Sequence, residues 1–218
     1  EKTTAYGYNY DKHYQLKSTE TTNSKAEVLK NLYYYPIDRN DLVGITTEAK
    51  DAAAKLELKN RFELLQTDVL KDNVLQSRLR TNYYDWGNNI VLPDTVQTSK
   101  GTNLFEDRII YHDYDDNGNP VEVSKANGTR IVYIWGYNKT KPIAKIENAI
   151  YDDVLSYITN LQSLSNQDIN ADTEQTLRVA LNSLRNNLRN SFVTTYTYNP
   201  LIGVTSITDQ RGETIFYY

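Results

Sequence analysis

Asp113, Asp115, Asn117 and Gly118 carry the opening spacing of a calcium loop, in which alternate oxygen-bearing side chains converge on one cation and a glycine makes the bend. The twelfth position, where a bidentate glutamate belongs, is Ser124, and no flanking helix is predicted. The same residues also make an ordinary hairpin turn, because Asn and Gly tolerate positive φ. The turn is the preferred reading, and no metal or cofactor is expected. The two histidines, His13 and His112, would each need an activated hydroxyl and a carboxylate to form a triad. His112 adjoins Asp113, but alternation along a strand points it away from Asp113 and Asp115. A surface or sheet-face position is expected for both rings. The carboxylate pairs Glu106-Asp107, Asp115-Asp116 and Asp152-Asp153 would serve a glycosidase only across a cleft. Asp152-Asp153 also suit the first turn of a helix, where negative charge meets the macrodipole. With no G-x-S-x-G, no phosphate loop and no cysteine, an enzyme is not expected.

Aromatic residues offer the one binding chemistry. The chain has 19 Tyr but only 4 Phe and 2 Trp, a composition suited to pleated, half-buried surfaces. Trp86, Trp135 and Tyr137, with the run Tyr33-Tyr34-Tyr35, either stack on a sugar ring or fill a sheet face. Asp94-Thr95-Val96 resembles a short O-glycosylation acceptor. Net charge is −4 with no basic stripe, which argues against nucleic acid. No apolar run approaches ~20 residues, so no membrane span is expected. The chain opens at Glu1, contains no methionine and shows no signal peptide, which reads as a segment whose partner is the remainder of a longer chain.

The elements that position these residues are mostly strands. Thr4, Tyr6, Tyr8 and Tyr10 recur at every second residue. Strands follow over 15–22 and 27–35, closed by Pro36. A hairpin spans 64–70 and 74–84 around Lys71-Asp72-Asn73. Further strands fit 90–98, 104–114, 120–125, 129–137 and 142–147, and alternation returns over 192–218, ending on Thr214, Phe216 and Tyr218. Two stretches depart. Residues 41–61 hold one short helix with a thin stripe of Ala49, Ala52, Ala53 and Leu56, expected to lie on the sheet surface. Residues 149–191 read as an inserted αα-hairpin, with Val154, Leu155, Ile158 and Leu161 on one helix and Leu177, Val179, Ala180, Leu181, Leu184 and Leu188 on the other. Ser165–Asn170 is the expected connector, and Asp172 or Thr173 the expected cap. The fold expected is a mainly β, antiparallel meander or spiral over 1–218, taken as a single domain.

The chain also repeats itself. Tyr114-Asp115-Asp116-Asn117-Gly118-Asn119 is followed by Gly128 and Tyr133; Tyr198-Asn199-Pro200-Leu201-Ile202-Gly203 is followed by Gly212 and Tyr217. Tyr to Gly spans 14 residues in both copies, and Gly to Tyr spans 5. Weaker copies begin at Tyr10-Asp11 and at Tyr84-Asp85-Trp86-Gly87. Each unit is a hairpin that cannot bury its own face and needs a neighbour.

This pattern resembles the YD-repeat (RHS-repeat) family. The resemblance is strongest over 105–148 and 192–218, where Ile134-Trp135-Gly136-Tyr137-Asn138 and Lys141-Pro142-Ile143-Ala144 look like a divergent branch found in long secreted or surface proteins of gram-negative bacteria. It is weaker over 1–36 and thin over 37–104. It implies a segment of a sheet that spirals into a shell or scaffold, in some members enclosing a toxic domain and in others linked to carbohydrate binding. The copies here are few, irregularly spaced and interrupted by helices, and neither a self-cleaving region nor a toxin domain is found. The expected function is therefore structural and non-catalytic, with a carbohydrate- or partner-binding module as the alternative.

Overall fold

The computed structural model describes residues 3–11 and 13–217. Among them, thirteen strands follow one another in the sheet in chain order. They are β1 (Thr4–Tyr8), β2 (Leu16–Thr22), β3 (Val28–Tyr34), β4 (Gln66–Lys71), β5 (Val74–Asp85), β6 (Val91–Lys100), β7 (Glu106–Tyr114), β8 (Pro120–Lys125), β9 (Arg130–Gly136), β10 (Lys141–Glu147), β11 (Phe192–Asn199), β12 (Gly203–Thr208) and β13 (Thr214–Phe216). The fold is the expected antiparallel meander, and it carries the expected helical hairpin and one further short helix. Tyr218, the last residue of the predicted alternation, lies outside the described residues. Two prolines sit inside strands, Pro93 and Pro142, each beside a shift of register where the ladder is already interrupted. Contacts divide the chain into two compact units, residues 1–110 and 111–218.

In the first unit, α1 (Thr47–Leu58) is capped by Thr46, whose hydroxyl accepts the Ala49 amide at 3.2 Å. The thin stripe is its buried face: Ala49, Ala52, Ala53 and Leu56 are all sealed. Ala52, Ala53 and Leu56 pack with Leu42, Leu65 and Val91, with Tyr34 and Tyr83 at the margin. Small side chains let the helix lie close to the sheet, so a weak stripe suffices. The same unit buries a cation. Arg80, on β5, is 1% exposed. It donates to the Gln66 amide oxygen at 2.7 Å and to the Val43 carbonyl at 2.8 Å, and lies 4.0 Å from the Phe105 ring centre. Burial lowers its pKa to about 10.

In the second unit, α2 (Leu155–Asn166) and α3 (Ala171–Asn187) form the hairpin. Val154, Leu161, Leu177, Leu181 and Leu184 form one core with Val132 and Ile134 of β9, Ile143 and Ile146 of β10, and Val193 of β11. Leu155 and Val179, expected on the apolar faces, are exposed instead. The cap differs from expectation as well. Asn170 has an extended backbone, and its side chain accepts the amides of both Asp172 and Thr173 at 3.0 Å, while Thr173 accepts the Asn170 amide in return. The connector is correspondingly shorter, because Ser165 and Asn166 still belong to α2.

Candidate functional site

The repeat residues lie at hairpin turns and on the strands that flank them. Asp115 accepts the amides of Asn117 and Asn119 at 2.9 Å each on one carboxylate oxygen, and the Asn119 side chain at 3.1 Å on the other. Its own amide donates to the Asn119 carbonyl, and Gly118 takes the left-handed position at φ 80. The supposed calcium ligand therefore builds the turn itself. The same bonds recur at Asp209, which accepts Arg211 and Glu213 amides at 2.9 Å with Gly212 at φ 87. They recur again at Asn23, which accepts Lys25 at 2.9 Å and Glu27 at 3.1 Å with Ala26 at φ 62. These backbone amides hold the Asp209 carboxyl below the usual range, Glu213 first.

The other repeat residues are varied. Tyr84 and Asp85 end β5; Asp85 accepts the Gly87 amide at 3.2 Å and pairs with Lys55 of α1, which lowers its pKa. Tyr114 ends β7 with its ring stacked on Tyr111 at 5.6 Å. At the β8–β9 turn the left-handed residue is Asn127 rather than Gly128, and a Cβ on Gly128 would meet Lys125 at 3.1 Å. Tyr133 is half-buried on β9. Tyr198, on β11, donates to the Pro142 carbonyl at 2.9 Å. Gly203 opens β12 at φ 142. Tyr217 is exposed and its amide donates to the Thr205 carbonyl at 2.9 Å.

The proposed stacking aromatics separate. Trp86, in the first unit, is half-buried and edge-on to Tyr84 at 5.4 Å. Trp135, in the second, is half-buried and donates to the Pro120 carbonyl at 2.9 Å. Tyr137 is 5% exposed and cannot serve as a platform. It begins a left-handed run, Tyr137-Asn138-Lys139 at φ 48, 56 and 59, that folds its ring inward. Its hydroxyl donates to Asp168 at 2.6 Å and accepts the Tyr198 amide at 2.9 Å, and Ser165 accepts its own amide at 3.0 Å. Burial, then the Asp168 bond, raises the Tyr137 pKa; burial also raises that of Asp168. A Cβ on Gly136 would lie 2.3 Å from the Ser165 hydroxyl, so the motif Trp135-Gly136-Tyr137-Asn138 marks where α2 touches the sheet.

Of the histidines, one departs from expectation. His112 shares a 2.9 Å hydrogen bond with Ser124. His13 is neither on the surface nor on a sheet face; it is buried in the long turn between β1 and β2, its ring 5.0 Å from Tyr35 and 6.1 Å from Phe62. The turn closes through Asn9 and Gln15, with Tyr14 at φ 58. Beside it lies a cleft of about 270 Å³ walled by Asn9, Asp11, Lys17, Leu32, Tyr34 and Asp41, with His13 and Asp38 also facing it.

The carboxylate pairs serve local structure. Asp153 accepts the Ile150 amide at 3.0 Å, Asp107 accepts the Gln97 side chain at 2.7 Å, and Glu106 pairs with Arg108 at 2.7 Å. Thr95 lies within β6, its hydroxyl accepting Asn82 at 3.0 Å.

Exposed aromatic surface gathers where sequence reading did not put it. Tyr8, Tyr10 and Tyr14 form a chain of ring contacts at 6.0 and 6.4 Å, all exposed, with Tyr6 exposed on the same strand. At the far end of the strand order, Ile215, Phe216 and Tyr217 are exposed on and beside β13. No helix among the described residues is long and apolar enough to cross a membrane. No family model matches the chain, and no curated protein matches it either.

Proposed function

We propose that the chain is a structural, non-catalytic segment of a large secreted or cell-surface YD-repeat protein of bacteria, in which neighbouring hairpins continue the meander as a shell or scaffold. The observation that carries this reading is the state of the two edge strands. Among the described residues, β1 (Thr-Ala-Tyr-Gly-Tyr) and β13 (Thr-Ile-Phe) each have one sheet neighbour, and neither contains a charge or a proline. Charges and proline are common guards of an edge that ends at water, and an edge without them can accept a further strand, although β13 is short and β1 carries a register shift at Gly7/Tyr8. The recurrence of one side-chain-closed turn at Asn23, Asp115 and Asp209 supports a repeated hairpin unit.

Sedimentation of the purified chain tests it. Association that grows with concentration and is abolished by Tyr6→Lys with Ile215→Lys is the expected result. A strictly monomeric wild type, indifferent to both substitutions, would defeat it. The exposed tyrosines of the β1 end favour a second reading, a carbohydrate- or partner-binding module. A specific glycan-array hit that is lost when Tyr10 and Tyr14 become alanine would replace the scaffold with that reading.

A further inference from the structure

The sequence holds two Asn-Gly pairs, Asn117-Gly118 and Asn127-Gly128, and both lie in hairpin turns of the second unit. Such a pair is open to a reaction that needs only water. The glycine amide nitrogen attacks the asparagine Cγ and loses its proton, the Cγ–Nδ2 bond breaks, and ammonia leaves. Water then opens the resulting succinimide at either carbonyl. The product is aspartate, or β-aspartate, in which the main chain runs through the former side chain. Glycine permits the attack because no Cβ shields its nitrogen.

In the folded chain both glycine nitrogens are engaged. Gly118 donates to the Asp115 carbonyl and Gly128 to the Lys125 carbonyl, each at 2.9 Å. The attack therefore starts from an opened tip, and its rate follows how often each tip opens. The two tips differ in what resists opening. Around Asn117, one Asp115 carboxylate oxygen accepts the amides of Asn117 and Asn119 at 2.9 Å, and the other accepts the Asn119 side chain at 3.1 Å. The Asp115 amide donates to the Asn119 carbonyl at 2.9 Å, and the Asn119 side chain also donates to the Lys139 carbonyl at 2.9 Å. Around Asn127 no side chain closes the turn. Among the described residues, neither the Asn127 nor the Thr129 side chain has a hydrogen-bond partner, and residues 127–130 are all exposed. Asn127 sits at φ 56, and strand pairing resumes only at Ser124 and Arg130.

We propose that Asn127-Gly128 is a site of spontaneous deamidation and isomerisation, and that Asp115 protects Asn117-Gly118 from the same reaction. Conversion places a carboxylate at the tip, and the β-linkage adds one backbone atom between β8 and β9. The proposal does not rest on the scaffold reading, since neither turn touches the edge strands β1 and β13 in the strand order.

Ageing of the purified chain in warm, mildly alkaline buffer, followed by peptide mapping, tests it. Trypsin separates the sites: Ala126–Arg130 holds Asn127, and Ile109–Lys125 holds Asn117. Each rate is divided by the rate at the same site in denaturant, which removes the effect of neighbouring residues. Asn117 is expected to be protected at least about tenfold more than Asn127, given its additional side-chain bonds. Asp115→Ala should bring Asn117 towards the Asn127 rate. Asp115→Asn should keep it slow, because Asn23 closes its own turn with the same pair of bonds. Equal protection of the two sites, or better protection of Asn127, would overturn the proposal. So would an Asn127 that converts in denaturant and never in the folded chain. An Asn117 rate unmoved by Asp115→Ala would overturn the protective role of Asp115. None of these results bears on association through the edges, which sedimentation reads separately.

Discussion

In the first unit a single α-helix lays three alanines and one leucine on the sheet, and the unit also buries an arginine. In the second, two helices and the Val154 cap of the first bring Val154, Leu161, Leu177, Leu181 and Leu184 onto the aliphatic faces of β9, β10 and β11, and a tyrosine–carboxylate pair is buried. Both solve the same problem, a meander with one face to cover. They differ in what limits the packing. Close approach limits the first unit, so added volume damages it. Filled volume limits the second, so removed volume damages it.

That contrast can be broken by measurement, because each unit carries one tryptophan, Trp86 in the first and Trp135 in the second. Denaturation followed by fluorescence, with the other tryptophan changed to phenylalanine, reads each unit alone. The largest effect is expected from Leu181→Ala, at about 2–5 kcal/mol on the Trp135 signal with little change at Trp86. A loss below 1 kcal/mol, by order of magnitude, would mean that the hairpin core relaxes around the hole. Ala53→Leu should cost about 1–3 kcal/mol on the Trp86 signal. If it stabilises instead, the helix is not held close by its alanines.

Arg80→Lys sharpens the comparison of the buried polar groups. One ammonium cannot span both the Gln66 amide oxygen and the Val43 carbonyl, so about 1–3 kcal/mol should be lost at Trp86. An unchanged midpoint would show that the fork geometry is dispensable. The smallest effect is the pH dependence of Asp168. Its pKa is raised in the fold by burial, so between the unfolded and folded values the native state holds the extra proton. Stability of the second unit therefore falls as pH rises through that acidic window, and Asp168→Asn should remove this component. A wild type and variant with parallel pH profiles would place the carboxylate in a more solvated state.

Much of the architecture was legible because it is local. Alternation of Tyr and Thr marks strands, Asp-Asn-Gly marks turns, and leucines at helical spacing mark the hairpin. The cap of α3 was missed by a short distance because Asn170, Asp172 and Thr173 are all competent, and only the extended backbone at Asn170 selects among them. The position of Tyr137 was missed for a deeper reason. Strand alternation cannot register a left-handed run, so a residue just past β9 read as exposed when its ring turns under the α2–α3 connector.

By itself the sequence determined the order and type of the elements, the antiparallel pairing of neighbours and the small-faced character of α1, since each follows from residue spacing within a few turns of chain. Only the tertiary structure decided that Arg80 is buried on Gln66 and Val43, that Gly136 lies against Ser165, and that His13 lies 3.7 Å from Asp38. Those pairs are 14 to 37 residues apart in the chain, and their meeting depends on how helix and turn settle on the sheet, which no local pattern encodes.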